Sequence, residues 1–277
     1  MHMLYKYTDD HIIPEHIGTK HALPQDLLNW VKTDAQPKPF EFRDDLKTGW
    51  DVCNETMLGL PDIGNASPSS GLNYLELGLP YKVPYEKMYE EAHSFKEHYV
   101  PHRSLYEGHG GWKSLCIHGL SAVQTQYHDR YGFKKDDGSP MEDKDVPYIW
   151  TDICKWMPTI AKFFQETFTY ETFARVRIMQ LEPGGYIFPH TDWDMHKLGP
   201  VNLALNNPDG CKFFMRGRGV VPFKPGQANK LDIGFEHIVF NDSDEYRYHM
   251  IIHGGPGKHW GPVFHGSYQK LLRQCII

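Results

Sequence analysis

The sequence has no CxxC pair, no apolar run near the ~18 residues that span a bilayer, and no surplus of positive charge. Each absence removes a class. The five cysteines, Cys53, Cys116, Cys154, Cys211 and Cys275, are odd in number and widely spaced. That pattern excludes zinc-finger and thioredoxin readings and predicts unpaired, mostly buried thiols in a reducing compartment. A net charge of -6 argues against nucleic acid or an anionic membrane as partner, both of which favour a basic surface. Residues 1–13 are polar and lack the apolar stretch of a secretory signal, so the expected location is cytoplasmic. No internal repeat and no low-complexity tract interrupts the chain.

What remains is an ordinary globular composition, 40% hydrophobic and 23% charged over 277 residues, enough for one full-sized core. Two stretches read as loops: Pro61 to Leu72, and the charge run KKDDGSPMEDKDV from Lys134 to Val146. Short helices are expected at Gln25 to Lys32 and Tyr85 to Tyr99. A further helix is expected over residues 151–167, where Pro158 either kinks it or starts a second one.

From Thr172 onward the texture changes to short apolar or alternating runs separated by Gly, Pro and Asn. They are Phe173–Leu181, Tyr186–Phe188, Val201–Asn206, Lys212–Met215, Val220–Phe223, Leu231–Ile233, His237–Phe240 and Arg247–Ile252. Eight such strands predict a mainly β fold, an antiparallel sandwich or barrel of the jelly-roll class, with earlier helices packed outside one sheet. The expected division is a mixed extension over residues 1–100 packed on a core over 101–277, together forming one structural domain.

The chemistry-bearing pattern begins at His190-Thr191-Asp192. On a strand, residues i and i+2 share a face with α-carbons about 6.6 Å apart, so an imidazole and a carboxylate at that spacing can hold one metal ion. His237, inside a later predicted strand, is the candidate third ligand. Two histidines and one carboxylate on one face of an octahedron form the facial triad of non-haem iron oxygenases. Asp194 is a rival ligand, but an extended strand puts it about 13 Å from His190. His196 is either a loop histidine or a substrate contact.

Arg247 follows His237 by ten residues. A buried guanidinium there can grip a distal carboxylate through two parallel hydrogen bonds. The alternative is a surface pair with Asp242 or Glu245. If Arg247 points into the barrel, so does His249, while Tyr248 points out. His249 is then a pocket residue or a satisfied core histidine. Asn202 shares a face with Ala204 and Asn206, opposite Val201, Leu203 and Leu205, and buried amides there favour a polar pocket. The group His249, His253, His259 and His265 is too irregularly spaced for a second metal site. Arg216 and Arg218, in MRGRG, read as a solvated turn, the alternative being contact with an anionic substrate.

These residues lie within longer stretches: GW at Gly111-Trp112, LEPGGYIFPHTD, GPVNLAL followed by GC, and DIGFEHIVFNDSDEYRYHMII. Together, over about Gly111 to Gly254, they resemble the aspartyl/asparaginyl β-hydroxylase-like group of iron(II)/2-oxoglutarate-dependent dioxygenases. The resemblance implies a double-stranded β-helix (jelly-roll, cupin-like) core. It implies iron(II), 2-oxoglutarate and O2 as cofactor and cosubstrates, with the metal on His190, Asp192 and His237. It places Arg247 on the C5 carboxylate of 2-oxoglutarate, Asn202 beside the cosubstrate, and Trp112 at the cosubstrate or substrate pocket. The implied activity is hydroxylation of an unactivated C–H, with a free or peptidyl amino acid as substrate. The alternatives are a carbohydrate or other small polar metabolite, or a metal-binding cupin that is not an oxygenase. Met179 stands where the resemblance implies a hydroxyl side chain, and Pro200 where it implies a basic one. The carboxylate at Asp192 completes the triad and argues against a halogenase, which leaves that coordination position to halide.

Overall fold

The computed structural model describes residues 23–25, 27–29, 74–102, 109–192, 199–216 and 219–275. Within that range the chain forms eleven strands: β1 (Tyr74–Leu77), β2 (Val100–Pro101), β3 (Gly110–Gly119), β4 (Ile149–Trp150), β5 (Thr172–His190), β6 (Val201–Ala204), β7 (Cys211–Met215), β8 (Gly219–Val220), β9 (Ala228–Leu231), β10 (His237–Asn241) and β11 (Arg247–Gly255). Three helices accompany them: α1 (Tyr85–Ser94), α2 (Pro158–Lys162) and α3 (Gly261–Cys275).

The pairing explains how one continuous ribbon becomes two layers. The first half of β5 pairs antiparallel with β11 on one side and β3 on the other. Beyond β11 the order continues through β6, β9 and β1. The last residues of β5 leave that layer and pair with β10, which pairs with β7, which pairs with β8. A single long strand thus serves both sheets, bending at Pro183-Gly184-Gly185. Gly184 has φ 67°, a left-handed conformation that disfavours side chains. A side chain at Gly185 would meet the Glu182 carbonyl oxygen at 2.8 Å. This is a jelly roll: two curled antiparallel sheets around one interior.

The two faces of the larger sheet differ in chemistry. Leu115, Ile117, Val176, Ile178, Val201, Leu203, Tyr248, Met250 and Ile252 point outward into the main core. Met88 and Ala92 of α1, Ile160 of α2, and Phe264 and Tyr268 of α3 cover them. Burying each large apolar side chain contributes roughly 1.5–3 kcal/mol, so this layer anchors the sheet. The opposite face, which lines the interior, carries Arg175, Arg177, Asn202, Asn229, Arg247 and His249, all buried.

Several expectations need correction. The helix expected over Tyr85 to Tyr99 stops at Ser94, and a 3-10 turn follows at Lys96–His98. Ser94 Oγ donates to the Glu91 carbonyl, a local bond that competes with helix propagation. The turn lets Phe95, Tyr99 and Val100 enter the core. Over residues 151–167, Pro158 starts a helix rather than kinking one. A 3-10 turn at Asp152–Lys155 precedes α2, and a π turn follows at Phe163–Thr167. Both oxygens of Glu91 accept from the N–H groups of Thr159 and Ile160, at 2.7 and 3.0 Å, capping α2 from a distant helix. The runs Phe173–Leu181 and Tyr186–Phe188 are one strand, and the run at Val220–Phe223 keeps only Gly219–Val220. Strands β1 and β3 and helix α3 were not foreseen. Residues 25 and 27–29 are helical; the loop from Pro61 to Leu72, Asp194, His196 and Arg218 lie outside the described residues. Cys116, Cys154 and Cys211 are unpaired thiols. No helix among the described residues is long and apolar enough to cross a membrane.

Candidate metal and cosubstrate site

His190 ends β5 and His237 begins β10, and the two are direct cross-strand partners. Their ring centroids lie 4.3 Å apart. Asp192 follows just beyond β5, where its backbone N–H donates to the Ile233 carbonyl at 3.0 Å. That bond turns the carboxylate back over the two imidazoles. Asp192 Oδ1 is 3.7 Å from His190 Nε2, and Oδ2 is 3.8 Å from His237 Nε2. All three ligand atoms lie within 4.8 Å of one another, the one such metal-compatible group among the described residues.

The tautomers follow from the hydrogen bonds. His190 Nδ1 contacts the Phe188 carbonyl at 2.8 Å, and His237 Nδ1 contacts the Phe235 carbonyl at 2.9 Å. A carbonyl only accepts, so each Nδ1 carries the proton and each Nε2 presents a lone pair toward Asp192. Burial, reinforced by His190, pushes the His237 pKa down to about 4, so this ring is neutral near neutral pH. Aromatic neighbours fix both rings. Phe213 stacks on His237 with centroids 5.1 Å apart, and Trp112 leans on His190 at 6.4 Å. Two imidazole Nε2 atoms and one carboxylate converging in this way fit a divalent transition metal.

Arg247 lies at the floor of the interior, 1% exposed, with its guanidinium over the Phe223 ring at 5.3 Å. Phe223 contacts Phe213, which stacks on His237, so a wall of two aromatic rings joins the arginine to the triad. Arg247 does not pair with Asp242 or Glu245; its guanidinium donates to His249 Nδ1 at 2.8 Å, and its Nε has no partner among the described residues. A buried guanidinium that pairs with no carboxylate among the described residues leaves an anion wanting, and a ligand carboxylate fits that demand.

The other expected residues fall on the same interior. Asn202 is buried on β6 opposite Asn229 of β9, with its amide donating to the Pro200 carbonyl at 3.2 Å. Asn206 does not line the pocket. It donates to the Tyr246 carbonyl and accepts from the Tyr248 N–H, pinning the start of β11. The Trp112 Nε1–H is buried without a partner. Arg216 pairs with Glu236.

Other residues were passed over in the sequence. Arg177 donates to the Thr125 carbonyl at 3.0 Å and contacts His102 Nε2 and His253 Nε2 at 3.3 and 2.9 Å. His102 stands against Trp112 at 4.5 Å, so this polar row runs back to the triad. His109 lies 5.9 Å from His190, between ring centroids. The signal available was the alternation Arg175-Val176-Arg177, which puts two cations on the face opposite apolar Val176 and Ile178. His259 leaves the histidine group altogether, bonding the Thr169 carbonyl.

Among curated proteins none matches the chain by sequence. Among solved structures it is similar to an oxidoreductase of the 2OG-Fe(II) oxygenase family from Burkholderia pseudomallei, at 19% identity and TM-score 0.26, covering 36% of this chain and 52% of that one. The chain therefore spans about half the length of that relative. It is also similar to a Pseudomonas putida prolyl-4-hydroxylase, at 16% identity, TM-score 0.35, and 65% and 91% coverage. A third is a Trichoplax adhaerens prolyl hydroxylase in complex with a hypoxia inducible factor peptide fragment, at 11% identity, TM-score 0.35, and 83% and 97% coverage. Likeness this distant says nothing of substrate. The family model for aspartyl/asparaginyl β-hydroxylases, by contrast, matches residues 85–254, well over half of the sequence. The chain belongs to the aspartyl/asparaginyl β-hydroxylase family of iron(II)- and 2-oxoglutarate-dependent oxygenases.

Proposed function

We propose that His190, Asp192 and His237 hold the iron(II), that Arg247 grips the distal carboxylate of 2-oxoglutarate, and that the enzyme hydroxylates an unactivated C–H of a free or peptidyl amino acid. The observation that carries this reading is the pairing of two bare imidazole Nε2 atoms and a carboxylate with a buried, carboxylate-free arginine in one interior. An isomerase of the cupin class has no use for the second feature.

When bound, iron and cosubstrate supply the oxidising chemistry: O2 is divided between 2-oxoglutarate, released as succinate and carbon dioxide, and the substrate C–H, which becomes C–OH. The chain's own residues orient and exclude. The carbonyls of Phe188 and Phe235 hold both histidines in the tautomer that turns Nε2 toward the metal position. Phe213 and Trp112 wall the triad against water. Trp112 and Asn202 lie within reach of the cosubstrate or substrate, with the Trp112 N–H available to an acceptor. The polar row of Arg177, His102 and His253 supports a polar substrate. The unpaired Cys116, Cys154 and Cys211 accord with a reducing, cytoplasmic setting.

Purified protein given iron(II), ascorbate and 2-oxoglutarate should release succinate, and a screen of amino acids, peptides and sugars should reveal the substrate that accelerates it. His190→Ala and Asp192→Ala should each weaken iron binding at least about tenfold. Unchanged iron affinity in either variant would sink the ligand assignment.

A further inference from the structure

Resting on the reading of the triad and Arg247 above, we infer that Arg175, with Arg177 beside it, forms a second anion pocket across the interior from the metal, and that the substrate carries an anionic group, a carboxylate or a phosphate, gripped there. Strands β3, β6, β9 and β11, and β5 as far as Leu181, contain no aspartate or glutamate. The face they turn inward nevertheless buries three guanidiniums, Arg175, Arg177 and Arg247. A divalent metal adds to that positive charge. Asp192 and a doubly charged 2-oxoglutarate offset the metal and Arg247, and neither serves Arg175 or Arg177. A buried cation is costly to hold without an anion, so a substrate that brings one is favoured over a neutral substrate of the same shape.

Both side chains are held in place. Arg175 and Arg177 are each 7% exposed and share one face of β5, with α-carbons about 6.6 Å apart. The Arg175 side chain makes no ion pair or hydrogen bond among the described residues; its guanidinium lies 5.0 Å from the centre of the Tyr127 ring, and its Nε is buried without a partner. A cation–π contact orients a guanidinium and leaves its charge in place. Tyr127 is itself 39% exposed, so this end of the interior adjoins solvent and a ligand has a way in. Arg177 donates to the Thr125 carbonyl and toward the Nε2 atoms of His102 and His253. Burial, with Arg175 and Arg177 beside it, pushes the His253 pKa well below the usual histidine value, so that ring stays a neutral acceptor. The bend of β5 sets the pair opposite the triad. His190 lies six residues beyond Gly184 and Arg177 seven before it, on halves of the strand that belong to the two facing sheets, so they stand at similar depth. The rings of His102 and Trp112 bridge the gap, 4.5 Å apart, with Trp112 6.4 Å from His190. Arg247 is elsewhere: it pairs with Leu181, whereas Arg175 pairs with His253, six residues or about 20 Å further along β11. The pocket is therefore separate from the place assigned to the cosubstrate. An anion in it has several bonds between itself and the carbon that is oxidised.

The test uses the full chain, loaded with zinc as a redox-inert stand-in for iron and saturated with 2-oxoglutarate, and reads the urea midpoint. Three probes are titrated: butanoate, butyl phosphate, and butanamide, which has the shape of butanoate without its charge. At least one anion should raise the midpoint of the wild type saturably, and butanamide should need a roughly 10- to 100-fold higher concentration for the same rise, the range for hydrogen bonds to a charged group. A stronger effect of butanoate points to a carboxylate substrate, and a stronger effect of butyl phosphate to a phosphorylated one. Arg175→Gln and Arg177→Gln should each abolish the preference for the anion. Arg175→Lys, which keeps the charge and loses the fork, should retain part of it. If Arg177→Gln fails to fold, the Arg175 variants decide alone. The proposal is overturned if no probe acts on the wild type, if the anions and butanamide act alike, or if Arg175→Gln keeps the preference. It is also overturned if an uncharged compound accelerates succinate release by the iron(II) enzyme as well as any acid does. The underlying reading fails separately, if 2-oxoglutarate itself leaves the urea midpoint of the metal-loaded wild type unchanged.

Discussion

Replacing Arg247 with methionine should leave the metal-loaded protein without cosubstrate about as stable as the wild type, or more stable, while abolishing its response to 2-oxoglutarate. The reasoning is a balance of signed effects. Arg247 is 1% exposed and no carboxylate among the described residues pairs with it. Holding a cation in such a place costs several kcal/mol after relaxation. Against that stand a cation–π contact with Phe223, about 0.5–2 kcal/mol, and one hydrogen bond to His249, about 1 kcal/mol. Burial also lowers the Arg247 pKa, the sign expected of a charge that is poorly compensated. Methionine refills most of the volume with a flexible apolar chain and needs no counter-ion. The balance therefore falls within about 1 kcal/mol of zero or favours the variant, as replacements of buried charges often do. Urea denaturation should be run with and without 2-oxoglutarate at a hundredfold excess over its Kd. The wild type should gain about 2.7 kcal/mol from the ligand and the variant almost none. A variant destabilised by ~3–5 kcal/mol without cosubstrate would show instead that Arg247 belongs to a structural ion pair, and the reasoning would be refuted.

Other outcomes follow from the same structure. Tyr248→Phe removes a buried hydroxyl bonded to Gln180 and His93, on the face of β11 opposite the pocket. It should cost about 1–2 kcal/mol in chemical denaturation and leave the 2-oxoglutarate Kd unchanged; an altered Kd would contradict the separation of the two faces. Lys113 and Glu182 form a buried ion pair where β3 meets the bend of β5, with side chains 4% and 2% exposed. Lys113→Met breaks this buried pair and should destabilise by roughly 3–5 kcal/mol, which Lys113→Met with Glu182→Leu should partly relieve. If the double variant is no better than the single, the cost lies in packing rather than in unpaired charge. Gly226 has φ 78°, and a Cβ there would sit 2.6 Å from the Tyr85 ring, so Gly226→Ala should lower the thermal midpoint measurably; an unchanged midpoint would mean that Tyr85 shifts at no cost.

The candidate triad was legible because its signal is local. Two ligands two residues apart on a strand, and an arginine ten residues beyond the third, are spacings that a linear sequence displays directly. The β runs in β6 and β11 and in the first half of β5 were legible for the same reason, since each alternates against a helix-covered outer face. The long strand β5 was not: its two halves serve different sheets, and the Pro183-Gly184-Gly185 bend reads as a break in sequence although the ladder continues through it. Strand β3 was missed because it is buried on both faces, which erases alternation. Helix α3 was missed because Gly261, Pro262 and Gly266 weaken its local signal, while packing of Phe264 and Tyr268 on the outer core supplies what propensity does not.

By itself the sequence determined the donor set, two imidazoles, a carboxylate and a guanidinium, because these depend on residue type and short spacing. Only the tertiary structure decided which atoms of those groups face one another in the interior. The carbonyls of Phe188 and Phe235 turn the His190 and His237 rings so that each Nε2 faces Asp192, and Arg247 occupies the Nδ1 side of His249. A tautomer is set by what lies on the other side of the ring, and for His249 that neighbour is decided by the folded pocket rather than by anything the sequence spacing displays.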